Sequence, residues 1–275
     1  VLMPQNEGNM ENIRSFAMTS IEKGLDGLLL TLWDDDSPHF ELYMRGIIAF
    51  AEYTWSGDRR SKSEIKSGYR HREFSSSTAS DEYAFIDRLE NPVEFWNNAL
   101  IKKGDRRRLR KMSNPMEEAI IDLPDENDPG QWSVLYAERL KAASELKQEC
   151  DMITEIITSM KLSAIRNQHR LEVYEQVNNL ARFTPEVLLA LKTFDEASSE
   201  PEKAEAANRI SQLAAQFQGL REQLEQVFGE TRILEKPEGY VLDQDHHNHL
   251  ANQSISFDWL FAAEMLFLRK IENEF

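Results

Sequence analysis

One continuous apolar run constrains the fold of this chain more than any other feature. Residues 27–33 read GLLLTLW, and Asp34, Asp35 and Asp36 follow directly. A strand covered on both faces, as in a parallel sheet under helices, has this pattern without polar alternation. Such a strand needs neighbours on both sides to satisfy its backbone groups. The 275 residues contain no second convincing strand, so we expect this one to pair with strands from outside this sequence.

Helical periodicity flanks the run on both sides. Residues 9–23 predict a helix that ends at Gly24, and a second helix is predicted to start at Pro38. The apolar stripes that we expect to face a core are Ile13, Phe16, Ala17 and Ile21 on the first helix and Phe40, Tyr43, Met44, Ile47, Ala51 and Trp55 on the second. A helix, a buried strand and a helix form an α/β unit, typical of the end of a barrel or the edge of a wound sheet.

The remaining residues predict helices without strands. Residues 58–129 read as a connecting region of short helices, and residues 130–275 as a helical bundle domain. The predicted helices cover residues 62–73, 81–89, 92–101, 131–165 and 168–181, a segment from Thr184, and residues 200–228 and 256–272. The predicted fold class is therefore mainly α: a helical bundle domain preceded, in residues 1–57, by the helix-strand-helix remnant of a (β/α)8 barrel.

Charge and composition exclude several classes of partner. The net charge is −16, from 48 acidic against 32 basic residues, which argues against nucleic acid and anionic membranes. No apolar run approaches the roughly 20 residues of a membrane span, and the opening residues lack the regions of a signal peptide. We expect a soluble protein and leave its compartment open, with the cytoplasm favoured over the periplasm. The single cysteine, Cys150, lies on an apolar helical stripe and is interpreted as a buried, inert thiol.

The residues after the run are the best candidates for chemistry. The carboxyl ends of parallel strands are where α/β folds place their sites. An indole beside carboxylates suits a sugar, since the ring stacks on Trp33 and its hydroxyls donate to Asp34 or Asp35. The structural alternative is that Trp33 belongs to a core and the aspartates cap the next helix.

This segment also resembles a known family. The stretch GLLLTLWDDDSPHFELYMRGIIAFAEYTW resembles the end of the catalytic barrel in family 20 of the glycoside hydrolases, the β-N-acetylhexosaminidases. The eighth strand of that family ends in Trp-x-Glu or Trp-x-Asp, and the following helix carries an Ala-Glu-x-x-Trp ending, here at residues 51–55. The helical remainder, in particular GETRILEKPEGYVLDQDHHNHLANQ, is similar to the C-terminal domain of one bacterial branch.

The resemblance implies an activity and a role for three residues. Trp33 would line the −1 sugar pocket, and Asp35, with Asp34 as a substitute, would accept hydrogen bonds from the 4- and 6-hydroxyls. The family removes terminal N-acetylhexosamine with retention, using the acetamido oxygen of the substrate as nucleophile. Its catalytic Asp-Glu pair lies on the fourth strand, which nothing here matches. We therefore expect no catalytic residue, metal or cofactor in this chain, which alone would be inactive, and two partners: an N-acetylhexosamine glycan and the missing barrel segment.

Two alternatives stay open beside this reading. The chain would otherwise be a non-catalytic helical interaction module that docks through its first 57 residues, or the tail of another barrel glycosidase. The clustered aspartates favour a sugar site over pure docking, because adjacent like charges are costly and such costs concentrate at functional sites.

The sequence contains four further polar features. Residues 243–249 hold Asp243, Asp245, His246, His247, Asn248 and His249. A metal site is conceivable there, but a hydrogen-bonded loop between bundle and barrel is favoured, and whether a side chain reaches the site stays open. His39 and Glu41 either border the pocket or occupy the first turn of a helix, the latter being favoured. The basic run at residues 106–111 is interpreted as a solvated face, and His71 and His169 carry no signal.

Overall fold

The computed structural model describes residues 2–32, 39–75, 84–106, 109, 117–232 and 258–274, and this part of the chain is mainly helical. Its α-helices are α1 (Asn6–Lys23), α2 (Met44–Ser56), α3 (Lys62–Phe74), α4 (Phe85–Asn98), α5 (Gln131–Leu135), α6 (Ala137–Ser163), α7 (Gln168–Asp195), α8 (Glu200–Gly229) and α9 (Ala262–Glu274). Short 3₁₀ segments lie at Phe40–Tyr43, Glu117–Ala119 and Asp258–Phe261. The mainly helical fold class is therefore confirmed.

Helix α7 is the centre of the molecule. It packs against α6 on one side and α8 on the other, while α4 covers α6 and α7. The connections between these long helices are short, which makes sequence neighbours antiparallel. Because α7 has neighbours on several sides, its buried residues extend around the helix, among them Leu171, Tyr174, Val177, Leu180, Val187, Leu188 and Leu191.

Two predicted helix breaks at prolines are wrong. Helix α7 continues through Thr184 and Pro185, where the sequence predicts a new start. Helix α4 likewise contains Pro92 and joins two predicted patches into one helix. An interior proline costs a helix about 3 kcal/mol through the lost hydrogen bond and the ring clash. Here Pro185 and Pro92 are themselves buried, so packing on both sides of each proline offsets that cost.

Other boundaries lie close to the prediction. Helices α3 and α8 match their predicted ranges within about two residues. The predicted helix over 131–165 is divided at Tyr136 into α5 and α6. Helix α1 begins three residues earlier than predicted and ends at Gly24, whose φ of 61° suits glycine.

The predicted helix-strand-helix unit is seen only as its two helices. Between α1 and α2, residues 25–32 belong to neither a helix nor a strand, and no strand is found in the described ranges apart from one isolated bridge, Ile101 to Ile120. Residues 33–38 lie outside them.

The apolar stripes of α1 and α2 are core-facing only in part: Ala17 is buried and Met44 packs against the main core, as expected, whereas other members are exposed. Phe16 is 71% exposed and Trp55 is 94% exposed. The buried faces instead form a small second core of Met10, Ala17, Ala49 and Tyr53 with Ile65 of α3.

A network of ion pairs explains why these faces of α1 and α2 are buried. Arg45 of α2 is almost fully buried and donates to Glu7 of α1 at 3.0 Å and to Asp87 of α4. Lys62 and Lys66 of α3 also pair with Glu7. This network joins the polar sides of α1 and α2 to α3 and α4. The exposed apolar residues of α1 and α2 therefore point away from the rest of the molecule.

Candidate functional site

The residues that the sequence predicts to bind sugar, Trp33, Asp34 and Asp35, lie outside the described residues. The same holds for the predicted loop at residues 243–249. The structure does describe what precedes and follows Trp33 to Pro38: the apolar run that ends at Leu32 and the polar residues from His39 onward. These two neighbourhoods form the candidate site.

The apolar neighbourhood is a groove of about 590 Å³. Its walls come from α1, from residues 28–32 and from α2, and the apolar side chains among them are Ile13, Phe16, Leu28, Leu29, Leu30, Leu32, Ile47 and Phe50. Leu29 at its rim is 86% exposed. None of the residues that line the groove carries a charge. A groove of this kind suits another apolar surface better than a hydroxyl-rich ligand.

The polar neighbourhood begins with His39, which is buried against α8. Its Nε2 lies 3.3 Å from the carbonyl oxygen of Leu224, so that nitrogen carries the proton and donates. The ring meets Phe228 edge to face, with centroids 5.4 Å apart. Burial lowers the pKa of His39 to about 4, although the charge of Glu41 and the bond to Leu224 act in the opposite direction. His39 is therefore a neutral packing residue at neutral pH.

Glu41 is buried in the 3₁₀ segment that follows His39. Nη1 of Arg232 donates to both of its carboxylate oxygens, at 3.1 and 3.0 Å. Burial alone would raise the pKa of Glu41, but the hydrogen bonds and charge of Arg232 bring it below its ordinary value. The favoured prediction of a first-turn position is right for Glu41, which lies in the first turn of the segment. Its pairing with Arg232 follows from no local sequence pattern.

His169 of α7 extends this cluster. Its Nδ1 lies 2.9 Å from a carboxylate oxygen of Glu230, and its Nε2 lies 3.8 Å from one of Glu41. The carboxylate of Glu172, one helical turn along α7, approaches the same place. Sequence reasoning missed this cluster, although the spacing of His169 and Glu172 places both on one face of a helix.

Two other sequence interpretations have clear outcomes. Cys150 is fully buried, and burial raises the pKa of its thiol to about 12, which confirms the inert reading. The solvated-face reading is wrong for Arg106, which is buried. Its guanidinium donates to both oxygens of Glu264 at 2.6 Å and to the carbonyl oxygens of Trp96, Asn97 and Leu260.

Comparison with protein-family models, with curated proteins and with solved structures found no match. Among the helices that the structure describes, none is both long and apolar enough to cross a bilayer.

Proposed function

We propose that residues 1–275 are the C-terminal portion of a retaining exo-β-N-acetylhexosaminidase. In this proposal a catalytic barrel packs into the apolar groove, and residues 27–33 are its last strand. Trp33 and Asp35, with Asp34 as a substitute, shape one side of the −1 sugar pocket. The catalytic pair belongs to the barrel, so this chain binds part of the sugar and does not cleave it.

The observation that carries the proposal is the open apolar groove. Apolar residues of two helices line an open groove on either side of a run of leucines that has no strand partner in the described structure. Exposed contiguous apolar surface is typical of an interface. In a barrel, the helices before and after a strand bury such faces against the sheet, and the strand pairs on both edges.

The sugar chemistry rests on the sequence resemblance and on the position of the groove. The apolar run leads directly into the indole and the aspartates, so a strand seated in a barrel would deliver them to the face where barrel enzymes bind substrate. On the other side, His39 and Glu41 are anchored to the end of α8. These contacts support a fixed position for the chain directly after the proposed pocket.

The test is hydrolysis of an aryl N-acetyl-β-glucosaminide by a polypeptide that joins the barrel to residues 1–275. We expect turnover by that protein and none by residues 1–275 alone. Trp33→Ala is expected to lower kcat/KM far more than His247→Ala, its control from the predicted loop. Turnover by residues 1–275 alone, or equal losses in the two variants, would contradict the proposal.

The same groove favours a second candidate, the non-catalytic helical interaction module. Such a module needs the apolar surface but no sugar contact. The two candidates separate on Trp33→Ala: an interaction module that joins its partner through the groove keeps its function in this variant and loses it in Leu29→Asp.

A further inference from the structure

The cluster at the start of α7 and the end of α8 has the donor set of a metal centre. His169, Glu172 and Glu230 each offer one ligand atom, and these three atoms lie within 4.8 Å of one another. Zinc holds nitrogen and carboxylate oxygen ligands at about 2.0–2.2 Å, so two ligands of one ion lie at most about 4.4 Å apart. We expect rotation of the two glutamate side chains to close that difference.

The second nitrogen of His169 supplies an independent observation. Its Nε2 is buried and makes no hydrogen bond within the described structure, and the Glu41 carboxylate lies 3.8 Å away on that side. A histidine that binds a metal through one nitrogen almost always turns the other N–H toward a carboxylate or carbonyl. Here Nδ1 lies against Glu230 and Nε2 faces Glu41, which is the arrangement that a metal on Nδ1 requires.

The charges of the cluster point the same way. Glu41, Glu172 and Glu230 bring three carboxylates together, and Arg232 pairs with one of them. Glu172 and Glu230 therefore add two further carboxylates beside the imidazole of His169. A divalent cation would balance them, and one imidazole with two carboxylates is a donor set that zinc and its first-row neighbours accept.

We propose that His169, Glu172 and Glu230 bind a divalent transition metal, with zinc as the representative ion and Glu41 orienting the imidazole. The ion would link the start of α7 to the end of α8. Three protein ligands leave a fourth position for water or another ligand. With the ion on Nδ1, the imidazole N–H would lie at Nε2 and would donate a hydrogen bond to the Glu41 carboxylate. This site does not depend on the proposed hexosaminidase function.

The test is calorimetric titration of residues 1–275 with zinc chloride. The wild-type chain is expected to bind zinc tighter than about 100 μM. His169→Ala and Glu172→Gln are each expected to weaken that binding by at least about tenfold. The controls are His71→Ala and Glu155→Gln, an exposed histidine and an exposed glutamate elsewhere, which should bind as the wild type does.

A second readout keeps the test independent of folding. Circular dichroism without metal should be the same for all variants, and the visible absorption of bound Co²⁺ should change in His169→Ala alone of the two histidine variants. Absence of binding at about 100 μM zinc would overturn the site. Binding that is unchanged in both His169→Ala and Glu172→Gln would also overturn it, since the ion would then lie on other residues such as His246, His247 and His249.

Discussion

Helices α1 and α2 use their apolar residues in the opposite way from α6, α7 and α8. In the three long helices, the residues that repeat at helical spacing are buried, as Cys150, Ile153 and Ile157 show on α6. In α1 and α2, several of the repeating apolar residues are exposed, Phe16 and Trp55 most of all, and the buried side carries Arg45. Helical periodicity thus identifies an apolar face in both regions, but among the described residues only the long helices have that face covered throughout.

The difference is one of available partners. Helix α7 has α6, α8 and α4 around it, so its apolar surface is satisfied within the chain. Helices α1 and α2 pack on each other, on α3 and α4, and around a five-residue second core. The described residues leave Phe16, Leu29 and Trp55 exposed. An incomplete interface is the simplest physical account of such a region.

The largest expected effect tests the interior of the bundle. Arg106→Ala leaves Glu264 buried without its partner and removes the guanidinium that stacks 3.5 Å over Trp96. We expect a loss of about 3–5 kcal/mol in the free energy of unfolding, measured by urea denaturation. The double variant Arg106→Met with Glu264→Leu should recover much of that loss. Arg14→Ala, which breaks an exposed pair with Asp58 in the N-terminal region, should be indistinguishable from wild type.

The next prediction compares one apolar residue from each region. Leu188 of α7 is fully buried, whereas Phe16 of α1 is mostly exposed. Leu188→Ala should lower the free energy of unfolding by about 2–5 kcal/mol, and Phe16→Ala should change it by less than about 0.5 kcal/mol. Equal losses in urea denaturation would mean that the face of α1 is already packed in the isolated chain.

The pH dependence of stability tests the burial of His39 against α8. The pKa of His39 is about 4 in the folded chain against an ordinary value of 6.5, so the unfolded state takes up a proton first as pH falls. The contribution of His39 to stability is therefore complete above about pH 6.5 and is lost progressively toward pH 4. His39→Gln should flatten this part of the pH dependence of the urea midpoint. An unchanged slope would place His39 in a solvated position.

The smallest effect concerns association. Phe16→Ser with Leu29→Ser removes two exposed residues from one contiguous groove, and Val134→Ser with Leu162→Ser removes two equally exposed residues that do not line it. We expect the first pair to lower concentration-dependent association in light scattering and the second to leave it unchanged. The same response in both pairs would mean that the groove favours association no more than other exposed apolar residues do.

Several features could be predicted from the sequence because local patterns determine them. The cap at Gly24, the bounds of α3 and α8 and the burial of Cys150 follow from periodicity and residue type. The continuity of α7 through Pro185 could not be predicted, because packing on both sides outweighs the local cost of proline. The burial of Arg106 and the meeting of Glu41, His169 and Arg232 depend on long-range contacts that no local pattern encodes. For Trp33, Asp34 and Asp35 the sugar role stays a prediction.

Thiol labelling at the rim of the groove distinguishes a groove that a barrel covers from one that stays open. Because Cys150 is buried with a raised pKa, a thiol introduced by Leu29→Cys is the reactive one among the described residues. Leu162→Cys, at an equally exposed position on α6, serves as the control. We expect fast labelling of both variants in residues 1–275, and protection of position 29 alone when the barrel is joined. Equal labelling of position 29 with and without the barrel would contradict it.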